Sequence, residues 1–468
     1  MSKIAVTMGL SLGILLAQSP GDAASWALSG DEMMKKMQEQ IENLQKRLTD
    51  VEKRNAELEK RLSEQAAPAA PPAKPAEEIK SIPAKAEKPS ITAKYGVDLY
   101  GYIKFDAAYD TQRTSLGNYA RWVESGAAGG DDDQFTATAN QTRFGLNFTG
   151  PDYGNMKTTG KMEVDFYGGG SENKANPMMR HAYVQLDWPD YDLSVLAGQT
   201  SDVISPLVPT TVNYAVGWWV GDLGYRRPQL RVTKNFDPTD NSKLMFQGAL
   251  SRTIGEGWGL PASASYLDNG SDSGFPTLQG RVAYAFPLLT DKPSIIGVSG
   301  HWGQEEYDGG TFTGIAYGAR DFNTWSANLD VTLPLLDKLK LMSELWFGEN
   351  LDAYLGGIAQ GLRGIDVDGN NSIDAPGEGI RALGGWAALG LGPWNQWSFN
   401  VGASIDDPEE DDLNAGGRSQ NYSIFGNAFY EINEAILLGL ELSYWDTDYQ
   451  DREDEDSVRV QTTLIYRF

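Results

Sequence analysis

From Val97 onward, apolar and polar side chains alternate along most of the chain. "VDLYGYIKFDAAY" sets Val97, Leu99, Ile103 and Phe105 on one face, with Tyr100, Tyr102, Lys104 and Asp106 on the other. "TRFGLNF", "KMEVDF", "WSANLDVTL" and "LLGLELSYW" behave the same way. The last segment opposes Val458, Val460, Leu464, Tyr466 and Phe468 to Arg459, Gln461 and Arg467. A period of two is the signature of a strand with one apolar and one polar face. About sixteen such segments can be traced, each of the length a tilted membrane strand needs.

A soluble sandwich alternates too, so the connections decide. Every second one is short: "GPDYGN", "WPDYD", "FDPTDNS", "LLTDKPS", "LLDKL", "GLGPWNQ" and "YEINEA". The others are long and polar, over 111–134, 200–224, 252–275, 350–378 and 447–456. Short turns on one rim and long loops on the other predict an antiparallel transmembrane β-barrel over residues 95–468. An even strand number puts both barrel ends on the short-turn, periplasmic side. The terminal Phe468, with Tyr466 two before it, resembles the C-terminal signal of outer-membrane barrels.

The period changes to seven near the N-terminus. Met34, Ile41, Leu48, Asn55 and Leu62 occupy one core position, and Met37, Leu44, Val51 and Leu58 the other. This predicts an α-helical coiled coil over 31–65, in the periplasm by barrel parity, with Asn55 fixing its register. Arg47 faces Glu52 and Arg54 faces Glu59, as parallel strands require. "RLTDVE" resembles the signature of short trimeric coiled coils, which favours a homotrimer over a dimer or a lone helix. Residues 66–94 are rich in Pro, Ala and Lys and predict an extended linker, its lysines able to touch peptidoglycan. Residues 1–27 read as a signal peptide: Lys3, an apolar run from Ile4 to Leu16, then Ala23, Ala24 and Ala27.

Composition narrows the chemistry. The formal charge of −25 argues against nucleic acid as a partner. With no Cys, disulfides, thiolate metal sites and a lipoprotein anchor are excluded. Two His, His181 and His301, limit Ser–His and His–metal schemes, and alternation turns both toward the lumen. Catalysis and a required cofactor are not expected. One loop, "DVDGNNSIDAPGE" (366–378), places Asp366, Asp368, Asn370 and Asp374 at calcium-loop spacing. It lacks the Gly at position six and the acid at position twelve. Calcium there competes with a plain solvated loop. The remaining acidic runs read as outer loops that meet lipopolysaccharide and membrane lipid.

Alternation also assigns the lumen lining. Cations come from Lys104, Arg143, Lys161, Arg227, Arg231, Arg281 and Arg459. Acids come from Asp330, Glu344, Asp406 and Glu441, on later strands. Closing the sheet sets a basic arc against an acidic one, a field that favours anions along the arginines; alternatively the charges neutralise one another. The loop over 201–222, "SDVISPLVPTTVNYAVGWWVGD", is too apolar for an exposed loop. It is expected to fold into the barrel as a constriction, or else to pack on a neighbouring subunit.

Together "YGYIKFDAAYD", "QTRFGLNF", "GQTSDVISPLVPTTVNY", "YRRPQLRV" and "GENLDAYLGGIAQG" resemble stretches of the DcaP-like porins. The resemblance implies a trimer of sixteen-stranded barrels passing small anions such as dicarboxylates, with Arg143, Arg227 and Arg231 carried over as pore arginines. The expected function is a passive outer-membrane porin for small hydrophilic solutes. The competing reading is a structural tether from outer membrane to cell wall with a plugged barrel.

Overall fold

The structure, a computed structural model, describes residues 96–468 apart from 127–131, 169–174, 255–272, 308–309, 313–314, 318 and 366–374, together with Lys53. The expected signal peptide, the coiled coil apart from Lys53, the linker, and the calcium-spaced Asp366, Asp368, Asn370 and Asp374 lie outside the described residues.

Sixteen antiparallel strands form the wall. They are β1 (Gly96–Asp110), β2 (Gln134–Thr138 and Arg143–Thr149), β3 (Lys157–Asp165), β4 (Met178–Trp188), β5 (Leu193–Ser201) and β6 (Arg226–Thr239). Next come β7 (Ser242–Ser251), β8 (Thr277–Pro287), β9 (Pro293–Tyr307), β10 (Arg320–Leu336) and β11 (Leu339–Glu349). The last five are β12 (Arg381–Trp394), β13 (Trp397–Pro408), β14 (Arg418–Glu431), β15 (Ile436–Tyr449) and β16 (Glu455–Arg467). Each pairs with its sequence neighbour, and β16 returns to β1 in a ladder from Tyr102↔Arg467 to Asp110↔Arg459. The sheet therefore has no free edge. Two small hairpins, Gly310–Phe312 with Ile315–Tyr317 and Leu362–Ile365 with Ala375–Gly379, belong to the long connections.

Two irregularities have local causes. In β2 the ladder to β1 breaks between Thr138 and Arg143. Thr142 fills the gap: its hydroxyl accepts the Lys104 N–H at 3.2 Å and donates to the Lys104 carbonyl at 3.4 Å. Both backbone groups thus keep partners. Between β3 and β4 the register shifts at Glu163/Val164, so that Glu163 faces His181 and Val164 faces Met179. This bulge inserts Arg180, which then reaches the inward-facing Glu163.

The faces separate as the alternation predicts. Leu230, Val298, Leu345 and Leu442 stand 47–56% exposed on the outer surface. Their inward neighbours, such as Asn328, Glu344 and Glu441, are buried. Exposed aromatics mark both ends of the apolar zone. Tyr109, Phe135 and Trp302 lie toward the long loops, while Phe236, Trp394, Trp397 and Phe399 lie toward the short turns. Apolar outside, polar inside and aromatic at both ends is the arrangement of a transmembrane β-barrel. No helix among the described residues is long and apolar enough to cross a membrane. Leu442→Arg should therefore lower unfolding stability in lipid vesicles by about 2–4 kcal/mol, as read from urea titration. Wild-type stability in this variant would contradict a lipid-facing position.

Candidate functional site

The lumen is shaped by residues 202–225, which leave β5 and turn inward. Val203, Ile204, Val212, Ala215, Trp218, Trp219, Val220 and Leu223 are all buried. An inserted segment has no neighbouring strand, so its amides and carbonyls need side-chain partners from the wall. Gln279 on β8 accepts the Val203 N–H at 2.7 Å. Glu344 on β11 accepts the Leu207 N–H at 2.8 Å and the Trp386 indole at 3.2 Å. Glu441 on β15 accepts both the Val212 N–H (2.7 Å) and the Asn213 N–H (3.2 Å). In the other sense, Asn427 and Asn421 donate to the Thr210 and Trp219 carbonyls, and the Trp346 indole donates to that of Gly221, each at 2.8 Å. Gly221 has a φ of 129°, and a Cβ there would lie 2.3 Å from the Gly385 carbonyl oxygen. Only glycine allows so close an approach to the wall.

A second segment, 350–361, joins the first. The Trp219 N–H bonds to the Leu355 carbonyl and the Gly224 N–H to that of Tyr354, both at 2.8 Å. Asp406 on β13 accepts the Ile358 N–H at 3.1 Å. Tyr354 stacks on His301 with ring centroids 3.9 Å apart, and His301 also meets the Ser326 and Thr324 hydroxyls. Between the first loop and the wall at Ser404, Ser423 and Glu441, the residual space is about 20 Å³. That is room for about one water. Among the described residues, the inner faces of β8 to β16 are largely covered.

The charged residues read from sequence divide accordingly. Arg227 is fully buried: Asp202 holds it at 2.8 Å, the Ala353 carbonyl accepts from it at 3.0 Å, and Tyr354 lies beneath it. Arg281 pairs with Asp330 at 2.5 Å, and Arg459 with Asp110 at 2.8 Å. Lys104 meets Asp106 at 3.3 Å, the Val212 carbonyl at 3.1 Å, and Gln141. The acids do not form a free arc facing these cations. Glu344, Asp406 and Glu441 hold inserted backbone, and Asp330 neutralises Arg281.

Arg143, Lys161 and Arg231 remain partly exposed. Arg143 lies 3.5 Å from Glu163 and over the Tyr102 ring; Lys161 lies 3.7 Å from Glu163. Arg231 donates to Gln229 and to the Ser201 carbonyl. All three stand on β2, β3 and β6, beside the partly exposed Tyr183 and Thr233. Alternation missed Arg180, which the bulge turns inward to Glu163 (2.8 Å) and Asp165 (2.7 Å). His181 lies close by, 3.0 Å from the Thr200 hydroxyl. The sequence signal for the second loop was present in Leu351, Tyr354, Leu355 and Ile358, as apolar as the residues of the first. Among the described residues no group of His, Asp and Glu could hold a metal ion.

A closed barrel with an inserted loop and one uncovered, basic inner wall has the form of a membrane channel. The chain is similar in structure to the outer membrane channel DcaP of Acinetobacter baumannii, at a TM-score of 0.63 and 20% identity, with 81% of this chain and 98% of that one covered. It is also similar to an anion-selective porin from Comamonas acidovorans (TM-score 0.48, 13% identity, 80% and 100% covered). OprB of Pseudomonas putida matches at a TM-score of 0.45 and 10% identity, over 80% and 94% of the two chains. The DcaP likeness establishes a shared fold for the barrel whose motifs resemble that family. No family model and no curated protein sequence matches the chain.

Glu441→Ala would leave two buried loop amides without acceptors, at about 1–3 kcal/mol each. Hydrogen exchange across 206–216 should then accelerate more than tenfold by the same energies, while the β14 and β15 ladders stay protected. Unchanged exchange over 206–216 would contradict the anchoring role.

Proposed function

We propose that the protein is an outer-membrane porin through which small hydrophilic solutes, small anions above all, diffuse passively. The observation that carries this reading is the division of the lumen: the inner wall left uncovered presents Arg143, Lys161 and Arg231. A solute passing that wall meets fixed positive charge, which concentrates anions and repels cations. Dicarboxylates fall within this class, and the likeness to the outer membrane channel DcaP supports passage through the barrel. The overall acidity of the chain does not oppose it, because many of its acids, such as Glu409, Glu410, Asp411, Glu453 and Asp454, stand exposed in the connections between strands.

The N-terminal segments complete the proposal. Residues 1–27 export the chain, 31–65 form a periplasmic coiled coil of three strands, and 66–94 link it to the barrel. The coiled coil would hold three barrels in register.

In planar bilayers the protein should conduct with an anion-favouring reversal potential in a salt gradient. A unit charge 4 Å from the ion is worth about 1 kcal/mol in water, and salt screens part of it. Removing two charges with Arg143→Ala and Arg231→Ala should therefore cut the anion-to-cation permeability ratio on the order of tenfold. A folded barrel that does not conduct would overturn the porin reading; a cation-favouring potential would overturn only the preference. Deleting residues 31–94 should leave conducting barrels but slow or weaken trimer assembly on native gels. Unimpaired assembly would reject the coiled coil as the trimer's organiser.

A further inference from the structure

Arg226 opens β6 one residue before Arg227, and strand alternation gave it no role. It is only 5% exposed, yet neither its Nε nor its Nη2 meets a hydrogen-bond acceptor. Its guanidinium lies over the rings of Tyr225 (4.8 Å) and Trp218 (5.4 Å). Such contacts offset only part of the cost of an unpaired buried ion. The adjacent Arg227 already has its carboxylate, so Asp202 is not free to serve both.

Nearby, the buried hydroxyl of Ser205 also lacks a partner. Arg226 and Ser205 line one cavity of about 60 Å³ in the inserted loop. At its edge stand Pro206 and Val208, both exposed. They flank Leu207, whose N–H is held by Glu344, and lie between the ties of Ser205 to Ser299 and of Thr210 to Asn427 on the inner wall. The cavity therefore opens to the lumen. Asp222 lines it as well and is completely buried; burial, and then the neighbouring Glu344, raise its carboxyl well above the ordinary range. A carboxyl raised in this way holds its negative charge less readily and so repels an anion less.

We propose that this cavity is a binding site for monocarboxylate anions with an apolar body. The Arg226 guanidinium and the Ser205 hydroxyl would donate to the carboxylate, and the body would lie against Pro206 and Val208. A guanidinium fork matches a carboxylate's two oxygens. One cation balances one carboxylate; a second carboxylate would meet Ile204, Pro206 and Val208, where the cavity supplies no charge. The site thus refines the porin reading, on which it rests: the exposed basic wall attracts anions generally, and Arg226 discriminates among them.

Benzoate is the probe. Purified full-chain protein should bind it saturably in calorimetry, and benzoate should block chloride current in bilayers. Losing a hydrogen-bonded charge in Arg226→Gln should weaken both by about tenfold or more, and Ser205→Ala by about threefold. Arg226→Lys keeps the charge but not the fork and should fall between wild type and Arg226→Gln. Succinate should bind about tenfold more weakly than benzoate, for want of a partner for its second carboxylate. Heat-modifiable gel mobility checks that each variant folds. If Arg226→Gln does not, unchanged benzoate affinity in both Arg226→Lys and Ser205→Ala overturns the site. So does unchanged affinity in a folded Arg226→Gln, or equal binding of succinate. A barrel that conducts without binding benzoate rejects the site and leaves the porin reading standing. One that binds benzoate without conducting does the reverse.

Discussion

A length of chain inside a barrel must find partners for its backbone amides and carbonyls in a wall whose own ladders are complete. That constraint organises this lumen. Glu441 satisfies two consecutive loop amides, Glu344 a third, and Asn427, Asn421 and Trp346 supply donors for the carbonyls of Thr210, Trp219 and Gly221. The same carboxylates would otherwise be unpaired charges in a confined space. Bound to the loop they become structural acceptors, and the loop becomes an inner layer over β8 to β16. The 350–361 segment then seats on that layer through Leu355 and Tyr354.

The electrostatics follow from this covering. Cations on the covered side are consumed locally, Arg227 by Asp202, Arg281 by Asp330 and Arg459 by Asp110. Each buried pair is close to neutral in its field and holds two elements together: Arg281 and Asp330 join β8 to β10 across β9, and Arg227 ties the base of the inserted loop to β6. Under the proposed function, the charge that acts on a passing ion is what remains partly exposed, and that is concentrated on β2, β3 and β6. A chain with a formal charge of −25 thereby presents basic side chains on one inner wall.

Much of this was legible in the sequence because period two and loop length are local properties. The strands, the barrel and the insertion of an apolar loop all followed from residues near one another in the chain. Pairing was not legible in that way. Alternation states that Arg281 and Asp330 both face inward; only the closed register brings them to 2.5 Å. It placed Arg227 and Arg231 as equals, although a neighbouring Asp202 buries one and leaves the other partly exposed. It also passed over Arg180 and Arg226, since a bulge and a strand end are where alternation stops. The acids of the later strands looked like a free arc because nothing local reveals that loop amides arrive to meet them.

The central claim is that the inserted loop divides the lumen into a covered side and an open basic side. The chain contains no cysteine, so single cysteines report without background. Current through Thr233→Cys and Tyr183→Cys channels should fall when an anionic methanethiosulfonate is added, because both positions face the open wall. Current through Ser404→Cys and Ser423→Cys channels should not change, because the loop covers them. Equal modification on both sides would contradict a divided lumen.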